Sequence, residues 1–328
     1  MLYRTLPGTD LSLSAIGMGC WAMGGLWWGD DVRDDDSIAA VHAALDGGIN
    51  WFDTAPLYGH GHADEVLVKA LGSRRNDVTI ATKVGVRWDG EGAHARSDLQ
   101  PAWIVADVEA SLQRLGLERL DLVQIHWPCE QDTPLADSLG ALQQLQEQGK
   151  IRYFGVCNYD AEGLAEIRSL APIANLQTPY SMLRREPEAE LLPLTRHWQT
   201  GAAGENTLAP ELGVLAYEPL CRGLLTGKFT ALSRFPESDL RARDDRFTGN
   251  RYLRALTVVS RLQLLAKRLH VPVAAVALGW VLRQPGVTCA IAGAKRPAQI
   301  REHVQAIALV ERDDIWPEVD RIVASFHG

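Results

Sequence analysis

The chain has 328 residues, 46% of them apolar and 23% charged, a globular composition that excludes disordered, collagenous and coiled-coil proteins. Its 41 Asp and Glu against 33 Lys and Arg give a net charge of −8, a field that repels phosphate backbones and anionic lipid, so neither nucleic acid nor membrane is expected as a partner. The length suits two ordinary domains or one closed α/β barrel, which needs about 250 residues.

Leu2 to Leu13, broken by the turn residues Pro7-Gly8-Thr9-Asp10, predicts a hairpin that caps the bottom of such a barrel. Ala15 to Met18 reads as an opening strand. Ile38, Val41 and Leu45 then recur at helical spacing behind the acidic start Asp34-Asp35-Asp36, and Gly47-Gly48 stops that helix. Strands are expected at Ile49–Asp53, Val78–Lys83, Leu120–His126, Ile151–Val156, Ala174–Gln177, Gly213–Tyr217 and Val287–Ala292. Between them the spacing predicts helices carrying Ile104/Val108/Leu112/Leu115 and Leu135/Leu139/Leu142/Leu145, and others over 164–170, over 189–197 and from Pro297. About eight strand–helix units result, the number that closes a barrel. The expected architecture is therefore α/β, a single (β/α)8 TIM barrel over residues 1–328 with the N-terminal hairpin cap and extra C-terminal helices; an open doubly wound sheet is the alternative.

Two stretches fall outside the repeat. Residues 230–250, rich in Arg and Asp after the seventh strand, read as a functional lid or a solvated loop, and residues 201–206 as a surface insertion. Five scattered cysteines with no CxxC spacing argue for reduced thiols and a cytoplasmic setting. The N-terminal residues lack the apolar core of a signal peptide, and the longest apolar run, Val271 to Leu282, is too short to span a bilayer.

In a parallel barrel the chemistry lies at the carboxyl ends of the strands. Those ends carry Asp53, Lys83, His126, Asn158, Gln177, Tyr217 and the loop from Gly293 to Arg296, so polar groups in register point to one shared site. No metal-ligand spacing, GxSxG elbow, P-loop or GxGxxG fingerprint is present, which leaves no metal expected and no Rossmann-type dinucleotide site. Asp53, Tyr58, Lys83 and His126 admit one mechanism in particular. Lys83, held by Asp53, lowers the pKa of Tyr58; neutral His126 hydrogen-bonds a substrate carbonyl; Tyr58 protonates that oxygen as hydride reaches carbon. The hydride must come from a cofactor. Taken singly, Tyr58 reads as a rim aromatic, Lys83 and Asp53 as a structural ion pair, and His126 as a core histidine.

The chain resembles the aldo-keto reductases from about Leu2 to Ala306. The resemblance is carried by Gly48-Ile49-Asn50-Trp51-Phe52-Asp53-Thr54-Ala55 leading to Tyr58-Gly59, by Ala81-Thr82-Lys83, by Asp121 to Pro128, by Gly155-Val156-Cys157-Asn158-Tyr159, and by Tyr217 to Lys228. It implies a single barrel, NADPH bound extended, and reversible reduction of aldehydes or ketones. Carried over by position, Asp53, Tyr58, Lys83 and His126 look like the catalytic tetrad. Asn158 and Gln177 would hold the nicotinamide carboxamide and Tyr217 would stack on its ring. Pyrophosphate would lie along Leu220 to Gly223 with Arg222 and Lys228, and the adenosine end at Gly293, Lys295, Arg296, Gln299, Glu302 and His303. Gly19, Cys20, Trp21, Asp53, Cys157, Glu218 and Pro219 complete the cofactor contacts the resemblance implies. Lys295 and Arg296 ahead of a helix starting at Pro297 suit a 2′-phosphate, which favours NADP over NAD.

Cys157 stands where many members carry Ser, His303 where Asn is usual, and Glu218 where Ser is common. The branch most similar is that of bacterial general-stress and sugar-linked reductases. Trp27, Trp28, Trp88 and Trp127 lie in or beside mouth loops and are expected to contact substrate. The rival reading is an NADPH-binding regulatory or sensor subunit with little turnover, against which the presence of His126 counts.

Overall fold

The structure is a computed structural model, and it describes residues 1–89, 94–130, 133–199 and 209–327. The insertion expected at 201–206 lies outside them. Strands β1 (Tyr3–Thr5) and β2 (Ser12–Ser14) pair antiparallel as the predicted hairpin. Then come β3 (Ile16–Gly19), β4 (Trp51–Asp53) and β5 (Thr79–Val84), and an unpredicted second hairpin of β6 (Val86–Asp89) and β7 (His94–Ser97). They are followed by β8 (Leu120–Ile125), β9 (Ile151–Cys157), β10 (Asn175–Pro179), β11 (Gly213–Tyr217) and β12 (Cys289–Gly293). Eight of these strands close a parallel barrel in the order β10-β11-β12-β3-β4-β5-β8-β9, so the doubly wound alternative is excluded.

The surrounding helices are α1 (Asp34–Asp46), α2 (His62–Leu71), α3 (Pro101–Leu115), α4 (Leu135–Glu147), α5 (Ala161–Leu170), α6 (Leu191–Arg196), α7 (Gly249–Leu269), α8 (Val273–Arg283), α9 (Pro297–His303), α10 (Ile307–Val310) and α11 (Trp316–His327). Local chemistry sets their ends. α3 begins on Pro101 and stops at Gly116, whose φ of 61° is the left-handed cap. The Asp160 side chain caps α5 by accepting from the Gly163 amide at 2.8 Å. The long apolar run from Val271 belongs mostly to α8, in which every residue from Val273 to Leu282 is buried. It is a core helix. No single helix among the described residues is long and apolar enough to cross a membrane; α7 and α8 meet that test only together, and they bend by 97°.

Two apolar layers organise the interior. One lies between strands and helices, and the other fills the bottom of the barrel, where the hairpin sends Leu6, Leu11 and Leu13 against Trp51, Leu122 and Leu215. The Arg4 guanidinium donates to the carbonyls of Leu282, Val287 and Thr288 and so ties the hairpin to the end of α8. Above this plug the barrel interior turns polar.

Candidate active site

The polar layer is a hydrogen-bonded set at the strand ends. Lys83, on β5 and 1% exposed, donates from Nζ to Asp53 Oδ1 at 2.6 Å and to the Thr54 carbonyl at 3.0 Å. The other Asp53 oxygen accepts from Gln177 Nε2 at 2.8 Å and Gln124 Nε2 at 3.5 Å. Gln124 Oε1 in turn accepts from Asn175 Nδ2 at 2.8 Å and Gln177 Nε2 at 3.1 Å. A buried carboxylate and ammonium are tolerable only when paired and hydrogen-bonded in this way. The supporting residues Gln124, Asn175 and Thr54 were not singled out from sequence, and Gln124 and Asn175 alternate with core residues on β8 and β10, so a period-2 reading could have drawn attention to them.

Tyr58 is delivered by the loop after β4. Its ring centroid lies 5.0 Å from Lys83 Nζ and 5.9 Å from the His126 ring, which meets it edge-on, and Trp21 stacks on it at 6.1 Å. That loop lies directly on the turn Trp21–Gly24 because two glycines allow it. A Cβ on Gly59, whose φ is +62°, would sit 2.3 Å from the Gly24 carbonyl oxygen, and one on Gly24 would sit 2.6 Å from the Gly59 amide.

Burial and neighbouring charges set the protonation of three of these groups. Burial, with Lys83 adding to it, holds the His126 imidazole well below its usual pKa, so it is neutral near pH 7. Burial alone would lower Lys83, but Asp53 and the facing phenol raise it, so it stays an ammonium. Tyr58 does not have the lowered pKa expected of it. Burial raises its phenol above the ordinary value, and Lys83 pulls downward without overcoming that cost. The phenol is therefore held protonated, with a cation beside it that opposes charge only as the proton leaves.

From Tyr58 a groove of about 580 Å³ runs across the top of the barrel to α9. Asp53, Tyr58, His126, Trp127, Trp27 and Trp28 line it, as do Gly19, Trp21, Asn158, Gln177, Tyr217, Glu218, Pro219, Leu220, Arg222 and Gly223, followed by Lys228, Gly293, Lys295, Arg296, Gln299 and His303. Lys83, Cys20, Cys157, Glu302 and Trp88, also expected at the site, are outside this lining, Lys83 being buried beneath it against Asp53. Cys20 and Cys157 are buried, the latter with its thiol turned to Gln124 Oε1 at 3.7 Å. Glu302 lies on the exposed side of α9, and Trp88 stacks on His60 at 5.0 Å. Conversely, Asp31, Arg184 and Arg241 line the groove without having been anticipated.

Several groove residues are committed to partners. Asn158, at a left-handed φ of 66°, donates from Nδ2 to the His126 carbonyl at 2.9 Å and accepts from the Tyr217 hydroxyl at 2.8 Å. Arg222 lines the groove while paired with Glu218 at 2.6 Å and Asp244 at 2.9 Å, and Arg246 bridges the same two carboxylates. The 230–250 stretch contributes Arg241 to the groove: the Leu240 amide donates to the Trp27 carbonyl at 2.9 Å, and Asp239 holds Arg241 against Trp28, Phe229 and Phe235.

Two groups lack the partners a bound ligand would supply. Lys228 makes no ion pair among the described residues, and burial together with Arg241 and Lys295 lowers its pKa, the mark of a cation facing other cations. His303, 2% exposed, has no hydrogen-bond partner at Nδ1. A groove cation without an ion pair and a buried ring nitrogen without a hydrogen-bond partner fit a bound dinucleotide.

A barrel with a Tyr–Lys–Asp–His cluster at the mouth of such a groove defines a class, and the comparisons with known proteins name it. Residues 15–324 match the family described as Aldo/keto reductase family, so the chain belongs to the aldo/keto reductases. It is 37% identical over 303 residues to the aldo-keto reductase YhdN of Bacillus subtilis (strain 168), covering 92% of this chain and 87% of that protein. It is 34% identical over 317 residues to the NADH-specific methylglyoxal reductase of Escherichia coli (strain K12), covering 92% of each. The solved glycerol dehydrogenase AKR11B4 from Gluconobacter oxydans superposes with a TM-score of 0.85 at 38% identity, over 98% of this chain and 95% of that one. The chain is thus an oxidoreductase of carbonyl and alcohol groups from a family that uses a nicotinamide cofactor.

Proposed function

We propose that this chain reduces a small aldehyde or ketone with NADPH, reversibly, with Tyr58 as the general acid. The observation that carries the reading is the phenol placed between a buried Lys83–Asp53 pair and a neutral His126 in a groove that also carries Lys228, Lys295 and Arg296. The nicotinamide supplies the hydride, which no side chain can donate. His126, uncharged, donates a hydrogen bond to the substrate oxygen and fixes its position. Tyr58 passes its proton to that oxygen, and Lys83 stabilises the charge left on the phenolate. Asp53 keeps Lys83 oriented, and Gln177, whose amide nitrogen is spent on Asp53, offers its amide oxygen to a carboxamide.

Lys228, Lys295 and Arg296 support the phosphorylated cofactor. Trp27, Trp28 and Trp127 shape the substrate side of the mouth. Five free thiols support a reducing, cytoplasmic setting. A neutral His126 beside the phenol supports turnover over a sensor role. In the test, Tyr58→Phe retains NADPH affinity by fluorescence titration while turnover against an aldehyde panel falls by about 10²–10⁴-fold. An unchanged rate overturns the mechanism, and tight cofactor binding with silence of the unaltered chain across the panel transfers the case to the sensor.

A further inference from the structure

The basic loop after β12 already holds an anion, and that anion belongs to the chain itself. Lys295 Nζ donates to Asp31 Oδ1 at 2.7 Å and to the Trp28 carbonyl at 2.7 Å. The second Asp31 oxygen lies 3.5 Å from Arg296 Nη2, and Arg296 Nε lies 3.5 Å from Asp36. The backbone amides of Lys295 and Arg296 both donate to Gln299 Oε1, at 2.8 and 3.0 Å. One carboxylate thus bridges two cations, on a loop some 264 residues distant in sequence. Lys228 in the same groove makes no ion pair among the described residues, although Asp31 and Asp239 offset part of the lowering that burial, Arg241 and Lys295 impose on it.

The two partners of this bridge differ in mobility of charge. Lys295 is 14% exposed and fixed by two bonds, whereas the Asp31 side chain is 60% exposed and sits on a connecting loop. A more highly charged anion can therefore take its place without unpacking the barrel: a phosphate carries about −1.5 to −2 and three acceptor oxygens against the single charge of a carboxylate. A 2′-hydroxyl cannot compete for the cations, and a carboxylate in that place can accept a hydrogen bond from it instead.

We propose that Asp31 is an internal occupant of the anion subsite formed by Lys295 and Arg296, and that its displacement limits how strongly the chain prefers a 2′-phosphorylated adenosine to an unphosphorylated one. The proposal rests on the reading of the groove as a nicotinamide dinucleotide site. It makes Asp31 a specificity-determining residue that moderates the preference for NADPH contributed by Lys295 and Arg296.

The experiment is calorimetric titration of the cofactor-free chain with 2′,5′-ADP, 5′-ADP, NADPH and NADH, for the unaltered protein, Asp31→Asn and Asp31→Asn/Lys295→Met. Asp31→Asn is expected to tighten 2′,5′-ADP and NADPH by about fivefold to tenfold, with no tightening of 5′-ADP or NADH, and the added Lys295→Met to abolish the gain. Equal tightening of both ligand classes, or no change for the phosphorylated ones, overturns the proposal while leaving the functional reading in place. Failure of the unaltered chain to bind any dinucleotide overturns both.

Discussion

The two ends of the barrel are built by the same eight strands and obey opposite rules. At the bottom, Leu6 and Leu13 from the hairpin press on Trp51 and Leu215, and the interior is a dry plug of apolar side chains. At the top, Asp53, Lys83, Gln124 and Gln177 occupy equally buried positions and satisfy one another through hydrogen bonds, with Tyr58 and His126 above them. Burial at the bottom is stabilising in itself. Burial at the top costs desolvation and yields an unusual chemical state instead: a neutral histidine, a protonated phenol and a fixed ammonium side by side. Stability and reactivity are thus separated along the barrel axis, as expected where loops at the carboxyl ends carry the chemistry.

The separation is open to attack at each end. The largest effect is expected at the top, from Lys83→Met, which leaves the Asp53 carboxylate with amide partners only. Turnover should fall by about 10²–10⁴-fold through the stranded phenol, and removing one member of a buried ion pair should lower stability by about 3–5 kcal/mol. Steady-state reduction and urea unfolding measure the two losses together. At the bottom, Leu6→Ala should lower stability by about 2–5 kcal/mol while cofactor affinity and the rate at saturation hold steady, because Leu6 itself does not line the groove and the cluster reaches it only through Ile291 and Tyr217. A change in the saturated rate in Leu6→Ala would show that the two ends are coupled.

The same division explains what was legible in the sequence. Strands and helices with clear period, such as Leu120–Ile125 or the Leu135/Leu139/Leu142/Leu145 face, were placed within a residue or two, since local sequence alone encodes them. The convergence of Asp53, Lys83 and His126 was legible because strand ends in a barrel converge whatever lies between them. The hairpin of β6 and β7 and the helices α2 and α7 went unassigned among polar residues. Asp31 and Arg241 were missed because their place in the groove depends on contacts between segments far apart in the chain, Asp31 with Lys295 and the 239–241 turn with Trp27 and Trp28. The elevated pKa of Tyr58 was missed for a related reason: proximity to Lys83 can be guessed from a motif, but the depth of burial that outweighs it cannot.

A smaller effect tests burial at the far end of the groove, where His303 sits at the C-terminal end of α9 without a partner for Nδ1. Burial lowers its pKa to about 4 in the folded chain, against about 6.5 when unfolded. As pH falls through that interval the unfolded chain takes up a proton that the native chain refuses, so stability is fully present above about pH 6.5, declines towards pH 4, and is flat below. The loss attributable to this one ring is about 3 kcal/mol over the window. His126 contributes in the same direction, so the quantity to measure is the difference between the unaltered chain and His303→Asn in urea unfolding at several pH values. Asparagine cannot titrate there, and the gap between the two profiles should change by that amount between about pH 7 and pH 4; parallel profiles would mean that water or a local opening reaches His303, and that this end of the groove is not closed as the apolar end of the barrel is.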